Sequence, residues 1–205
     1  MNEVLAVAII TLLAVISPGA DFAMVTRNSI LQGRKAGLLS ATGIALGVQL
    51  HVMYTMLGVG LLIGHTPWLF TTIKLCGAAY LVYIGVQTFR QEPHVRVDLH
   101  AGQPVSAWGA FKTGFLTNAL NPKTTLFVVS TYTQVVHADT PLSLQFGYGL
   151  FMSFAHWAWF SLVSLFFSHD GLRGAMLSMQ RLLNRLIGSV LIGLGGTLAL
   201  SPMMH

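Results

Sequence analysis

Charge is scarce in this chain: Asp, Glu, Lys and Arg together make up 8% of its 205 residues, against 54% hydrophobic residues. With a mean hydropathy of +0.68, that balance lies outside the soluble globular range and describes an integral membrane protein. At about 20 residues per crossing, the length leaves no room for a separate soluble domain beside several spans, so one polytopic domain in the lipid bilayer is expected. Cysteine is nearly absent. The single Cys76 lies in an apolar segment, excludes an intrachain disulfide and carries no information on redox compartment. Catalytic signatures are missing as well: no Gly-rich phosphate loop follows a strand, and no Ser-x-x-Lys or His-Glu-x-x-His pair occurs. The chain thus reads as no enzyme and no user of ATP, with no cofactor. The net charge of +5 would suit nucleic acid only if the basic residues clustered on a soluble face, and they are scattered between apolar runs. Met1-Asn2-Glu3 lacks a basic leader region, so the first apolar run is expected to be retained as a span.

What is present is a series of uncharged runs: roughly Val4 to Val25, Leu39 to Gly64, Trp68 to Phe89, Ala110 to Val136, Leu142 to Ser168 and Leu182 to Leu200. Each is long enough for one crossing, which predicts six transmembrane helices. Gly64-His65-Thr66-Pro67 predicts a tight hairpin between the second and third, and His137 to Pro141 a break between the fourth and fifth. Arg27, Arg34, Lys35, Arg90, Arg96, Lys112, Arg173, Arg181 and Arg185 all fall in or beside the odd-numbered connections. The positive-inside rule then puts both termini outside. Lys74 and Lys123 are the two basic residues within spans, and Lys74, close to the outer end of its span, is expected to snorkel.

Two prolines stand where a membrane helix should not hold them, in Ser17-Pro18-Gly19-Ala20-Asp21 and in Asn121-Pro122-Lys123. Proline removes a backbone donor, and in lipid the freed carbonyls must be satisfied by protein, substrate or water. The two breaks fall in the first and fourth spans. Gly77 and Gly85 near the end of the first half are matched by Gly188 and Gly196 in the second. Together these predict a 3+3 inverted repeat, with one copy over about 1–90, a connecting loop over about 91–109 and a second copy over about 110–205; carriers of that design bind at the repeat interface.

Ser17 and Asn121 are both good N-caps and each precedes a proline at a first helical position, so both breaks are expected to restart a helix inside the membrane. A restarted helix offers free backbone donors and partial positive charge, which suits a carboxylate, and Gly19 and Ala20 leave that end open. Asp21 and Lys123 add opposite full charges, each costing roughly 2.5–3.5 kcal/mol at a helix centre. A cation at a helix N-terminus opposes the dipole, so Lys123 is expected to want an anionic neighbour. The plainer readings are that Asp21 only caps its helix and that Lys123 pairs with it structurally. The candidate substrate-binding set is therefore Ser17, Pro18, Gly19, Asp21, Asn118, Asn121, Pro122 and Lys123. Asp21, His51 and His156 are the candidates for exchanging protons, although a buried His is more often a hydrogen-bonded packing residue. Gln49 and Tyr54 share that ambiguity. No metal site is expected, since His51, Met53 and Met56 diverge around a helix.

Three of these stretches, Ser17-Pro18-Gly19-Ala20-Asp21, Gly77-Ala78-Ala79-Tyr80-Leu81 ahead of Gly85, and Gly114 through Asn118 to Asn121-Pro122-Lys123, resemble the motifs of the LysE/RhtB family of bacterial amino-acid exporters. The resemblance spans essentially the whole chain; Ala20 replaces the second proline of the commoner Ser-Pro-Gly-Pro form, while Asp21 is retained. It implies efflux of an amino acid or a small relative across the bacterial inner membrane, coupled to the ion gradient. A cation or metal-ion exporter of the same architecture, disfavoured by the fixed charge of Lys123, and a non-transporting membrane scaffold are the alternatives, and homo-oligomerisation is left open.

Overall fold

Proline and glycine divide the apolar runs into the helices of the protein. The computed structural model describes residues 3–65, 67–90, 105–136, 140–169, 179, 182 and 184–196, and among these every regular element is helical. They are α1 (Glu3–Ile16), α2 (Ala20–Gln32), α3 (Arg34–His65), α4 (Pro67–Arg90), α5 (Ala107–Ala119), α6 (Pro122–Val135) and α7 (Leu142–Phe167), followed by α8 over 184–196. Helix α7 and the 34–58 stretch of α3 are each long and apolar enough to cross a membrane, and α1 with α2 forms such a unit bent by 52° at its break. The connection 91–104, Thr66, residues 137–139, the side chain of Lys74, and Arg96, Arg173 and Arg181 lie outside the described residues.

Local chemistry accounts for the ends. The Ser17 amide closes the last turn of α1 on the Leu13 carbonyl at 3.2 Å, and Pro18, with no N–H, cannot continue it. Helix α2 runs on through Arg27 to Gln32, beyond the apolar run ending at Val25, and Gly33 at φ 79° makes the turn into α3. That left-handed conformation favours glycine. Ser106 caps α5 by accepting from the Gly109 amide at 3.0 Å, so α5 starts at Ala107, inside what was read as the connecting loop.

Lipid tails are as apolar as leucine, so close packing, not the hydrophobic effect, holds such helices together, and small residues let backbones approach. Helix α3 packs on α5 and α7, α2 on α3 and α7, and α4 on α6. At the α3–α5 contact a Cβ on Gly114 would stand 2.1 Å from the Ser40 carbonyl oxygen, and one on Gly43 2.2 Å from that of Phe111. Only glycine permits this approach. Helices α4 and α8 meet the same way: a Cβ on Gly188 would lie 2.6 Å from the Gly85 carbonyl oxygen and one on Gly195 2.9 Å from that of Ala78. The outward row Leu46, Leu50, Met53 and Leu57 of α3 is exposed, as a lipid-facing stripe must be. Inward, Val15, Phe22, Ile44, Phe160 and Phe167 form a cluster joining α1, α2, α3 and α7. This packing brings the breaks before α2 and before α6 together.

Candidate functional site

Asp21 lies in the first turn of α2, where a negative charge suits the helix dipole, and its side chain is buried. One carboxylate oxygen, Oδ2, accepts from Asn118 Nδ2 at 2.8 Å and from Asn121 Nδ2 at 3.1 Å. The other, Oδ1, is buried with no partner among the described residues. A buried acceptor left unpaired costs roughly 1–3 kcal/mol, more when charged, so this oxygen is a place for a proton or a donor from a ligand.

The second break is closed by its own residues. Asn121 is the N-cap of α6, its side-chain oxygen accepting from the Lys123 amide at 3.0 Å, with Pro122 in the first turn. The same Asn121 side chain therefore caps α6 with its oxygen and holds Asp21 with its nitrogen.

The first break is closed differently, and this corrects the expectation for Ser17. The N-cap of α2 is Gly19, in extended conformation and without a side-chain cap bond, so Pro18 precedes the cap and is not the first helical residue. Ser17 Oγ instead shares a 2.6 Å hydrogen bond with Thr88 Oγ1 of α4, because the Ser17 residue still belongs to the last turn of α1. Lys123 has the anionic neighbour that its place against the helix dipole calls for, since Asp21 attracts it electrostatically, but its hydrogen bonds go elsewhere. Its ammonium donates to the backbone carbonyls of Ser17 at 2.5 Å and Pro18 at 3.3 Å, while the Asp21 carboxylate is held by asparagines. The carbonyl end of a helix carries partial negative charge. The cation opposed to the dipole of α6 is thus matched by the orphan carbonyls at the end of α1, and Lys123 Cδ and Nζ pack against Gly19, 3.3 and 3.5 Å from where a Cβ would stand.

His51 on α3 braces this arrangement. Its Nε2 lies 2.9 Å from the Asn118 carbonyl oxygen, which can only accept, so Nε2 carries the hydrogen. In the neutral ring Nδ1 then accepts from the Tyr54 hydroxyl, with Thr125 Oγ1 3.3 Å away. His51 thereby touches Asn118, which touches Asp21. His156 on α7 donates from Nδ1 to the Met152 carbonyl at 2.8 Å. Gln49 is a packing link, donating to the Gly149 carbonyl and Ser153 of α7 at 2.9 and 2.6 Å.

Ser17, Gly19, Asp21, Asn121, Lys123 and His156 line one small cavity together with Phe127 and Phe160. At about 20 Å³ it has room for about one water molecule and for no amino acid. Beyond Gly19 and Lys123, which line both, a cleft of about 600 Å³ opens along Tyr83, Gln87 and Arg90 of α4. Of the residues singled out from sequence, Pro18 lines the cleft, Asn118 and His51 stand behind Asp21, and Pro122 sits in the first turn of α6. Sequence reading missed Thr88, whose role depends wholly on α4 docking beside the break, and Thr124, which accepts from Asn118 Nδ2 at 3.2 Å. Thr125 carried a legible signal, standing three residues after Pro122 as Asp21 stands after Pro18.

The model of the family described as LysE type translocator matches residues 12–202. Among curated proteins the chain is 30% identical to the uncharacterized membrane protein YrhP of Bacillus subtilis, over 95% of this chain and 97% of that one. It is 26% identical to the threonine efflux protein of Escherichia coli K12, over 96% and 97%. To the leucine efflux protein of Salmonella choleraesuis it is 29% identical, over 90% and 89%. No solved structure matches the chain.

Proposed function

The chain belongs to the LysE type translocator family, and on that premise we propose that it exports an amino acid or a small amino-acid derivative across the bacterial inner membrane as a secondary carrier. It is a transporter and no enzyme. The observation that carries the substrate class is the pairing, on one small cavity, of an Asp21 carboxylate with an oxygen unpartnered among the described residues and a Lys123 ammonium whose hydrogen bonds go to backbone carbonyls. An amino-acid zwitterion matches both: its ammonium goes to Asp21, and its carboxylate to Lys123 and the amide donors of the restarted helices. The names of the threonine and leucine efflux relatives support the same class. Amide nitrogens and an ammonium around Asp21 would compete with a cation cargo.

We read the transport cycle as alternating access between two inverted copies of three spans. The mutual approach of Gly85 with Gly188 and of Ala78 with Gly195 supports this reading, since an in-plane two-fold axis makes the start of one glycine segment meet the end of the other. His51 and His156 stand on the second long helix of each copy, 33 residues after Pro18 and 34 after Pro122. The positive-inside rule gives the Arg90 end of α4 to the cytoplasm, so the cleft opens inward, with both termini on the outer side. Proton coupling is assigned to Asp21, assisted by the two histidines. Export of labelled threonine and leucine from cells or vesicles tests the whole: Asp21→Asn and Lys123→Met proteins, inserted at normal levels, should each lose at least about tenfold in rate, equivalent to 1.4 kcal/mol. Wild-type rates in both would end the site assignment, and efflux indifferent to an imposed pH gradient would end the coupling.

A further inference from the structure

The cleft on the far side of Lys123 holds polar groups that the buried site does not use. Tyr83, Gln87 and Arg90 follow one another at i, i+4 and i+7, and so share one face of α4 and line the cleft together. At 1.5 Å per residue the stripe is about 10 Å long, with Arg90 at the end of the helix. The other walls are Pro18, Gly19, Ala20, Ile84, Val86 and Lys123. Two cations therefore line a cleft that no carboxylate lines among the described residues. A positive-inside arginine alone would explain Arg90, but neither an exposed Gln87 beside it nor a cavity in the size range of small-molecule sites.

We propose that this cleft is the receiving vestibule of the transporter, in which Arg90 captures the substrate carboxylate, Gln87 and Tyr83 hydrogen-bond the molecule as it moves inward, and Lys123 takes the carboxylate over at the inner wall. The proposal rests on the exporter reading above. Because Gly19 and Lys123 border both spaces, movement of the Lys123 ammonium off the Ser17 and Pro18 carbonyls both receives the carboxylate and opens the way to Asp21. A cation at the mouth of a low-dielectric cleft raises local anion concentration and acts on capture, not on the later steps.

The test is counterflow of labelled threonine and leucine by the purified protein, in neutral vesicles of phosphatidylcholine with phosphatidylethanolamine and in the same vesicles with phosphatidylglycerol. Arg90→Gln should raise the half-saturating concentration about tenfold in both lipids while the maximal rate falls less than about twofold, as expected when binding common to ground and transition states is removed. Arg90→Lys, which keeps the charge, should recover part of the loss, and Gln87→Ala should shift half-saturation by a smaller factor in the same direction. A shift confined to the vesicles with phosphatidylglycerol would assign the cleft to a lipid phosphate and overturn the proposal. So would a loss in maximal rate alone, or wild-type kinetics in Arg90→Gln. Absence of wild-type counterflow with every member of a broad labelled amino-acid panel, threonine and leucine included, would overturn the exporter reading and this one with it.

Discussion

The two helix breaks are built from nearly the same words, a small polar residue followed by proline, and are closed in different ways. At Asn121-Pro122 the side chain caps its own helix two residues on, so the break is finished within a single turn. At Ser17-Pro18 nothing local replaces the lost bonds, and the ammonium that satisfies the carbonyls comes from Lys123, 106 and 105 positions away. The dependence is mutual. Asn121 and Asn118 of the second break hold Asp21 of the first, and Lys123 of the second holds the carbonyls of the first. A self-closed break serves as a fixed support, whereas a break closed by a distant lysine can open when that lysine moves, as the proposed carrier mechanism would require of the proposed substrate site.

That contrast can be broken by substitution. Lys123→Met should have the largest effect, because it strands the two carbonyls of the first break inside the membrane. Each stranded group costs roughly 1–3 kcal/mol, seen as a lower melting temperature in detergent together with the loss of export. Asn121→Ala should come next. Removing the cap costs about 1 kcal/mol and also takes one of two donors from Asp21, so faster amide exchange at Lys123 should accompany a partial loss of export. Ser17→Ala should be the mildest. It loses one hydrogen bond to Thr88, worth about 0.5–1.5 kcal/mol, and should leave amide exchange at Ala20 to Ala23 unchanged. Faster exchange there would mean that the serine caps α2 after all, and the difference between the breaks would disappear.

Much of this was legible from composition and punctuation. Apolar runs gave the helical segments, and proline beside a polar residue marked the two breaks, because the loss of an N–H is a local covalent fact that no tertiary context repairs. Asn121 was legible as a cap for the same reason, its bond reaching only two residues. Ser17 misled, since a serine before a proline has the same local signature whether it caps the next helix or ends the previous one. The choice went to Thr88 on α4. For Lys123 the dipole of α6 called for an anion nearby, and Asp21 is there, but the ammonium's hydrogen bonds go to the carbonyl end of a helix in the other half of the chain, which no local signal shows.

Composition alone was enough to make this a membrane protein, since so few charges in so apolar a chain cannot be kept soluble, and the two prolines alone were enough to place its weak points. Which carboxylate oxygen stays unpartnered, which carbonyls the lysine holds, and that Tyr83, Gln87 and Arg90 face a cleft ending at that lysine were decided by helix packing. The reason is one of range. Backbone chemistry acts within a turn, but a buried charge is satisfied by whatever the glycine-mediated contacts between helices bring within about 3 Å of it.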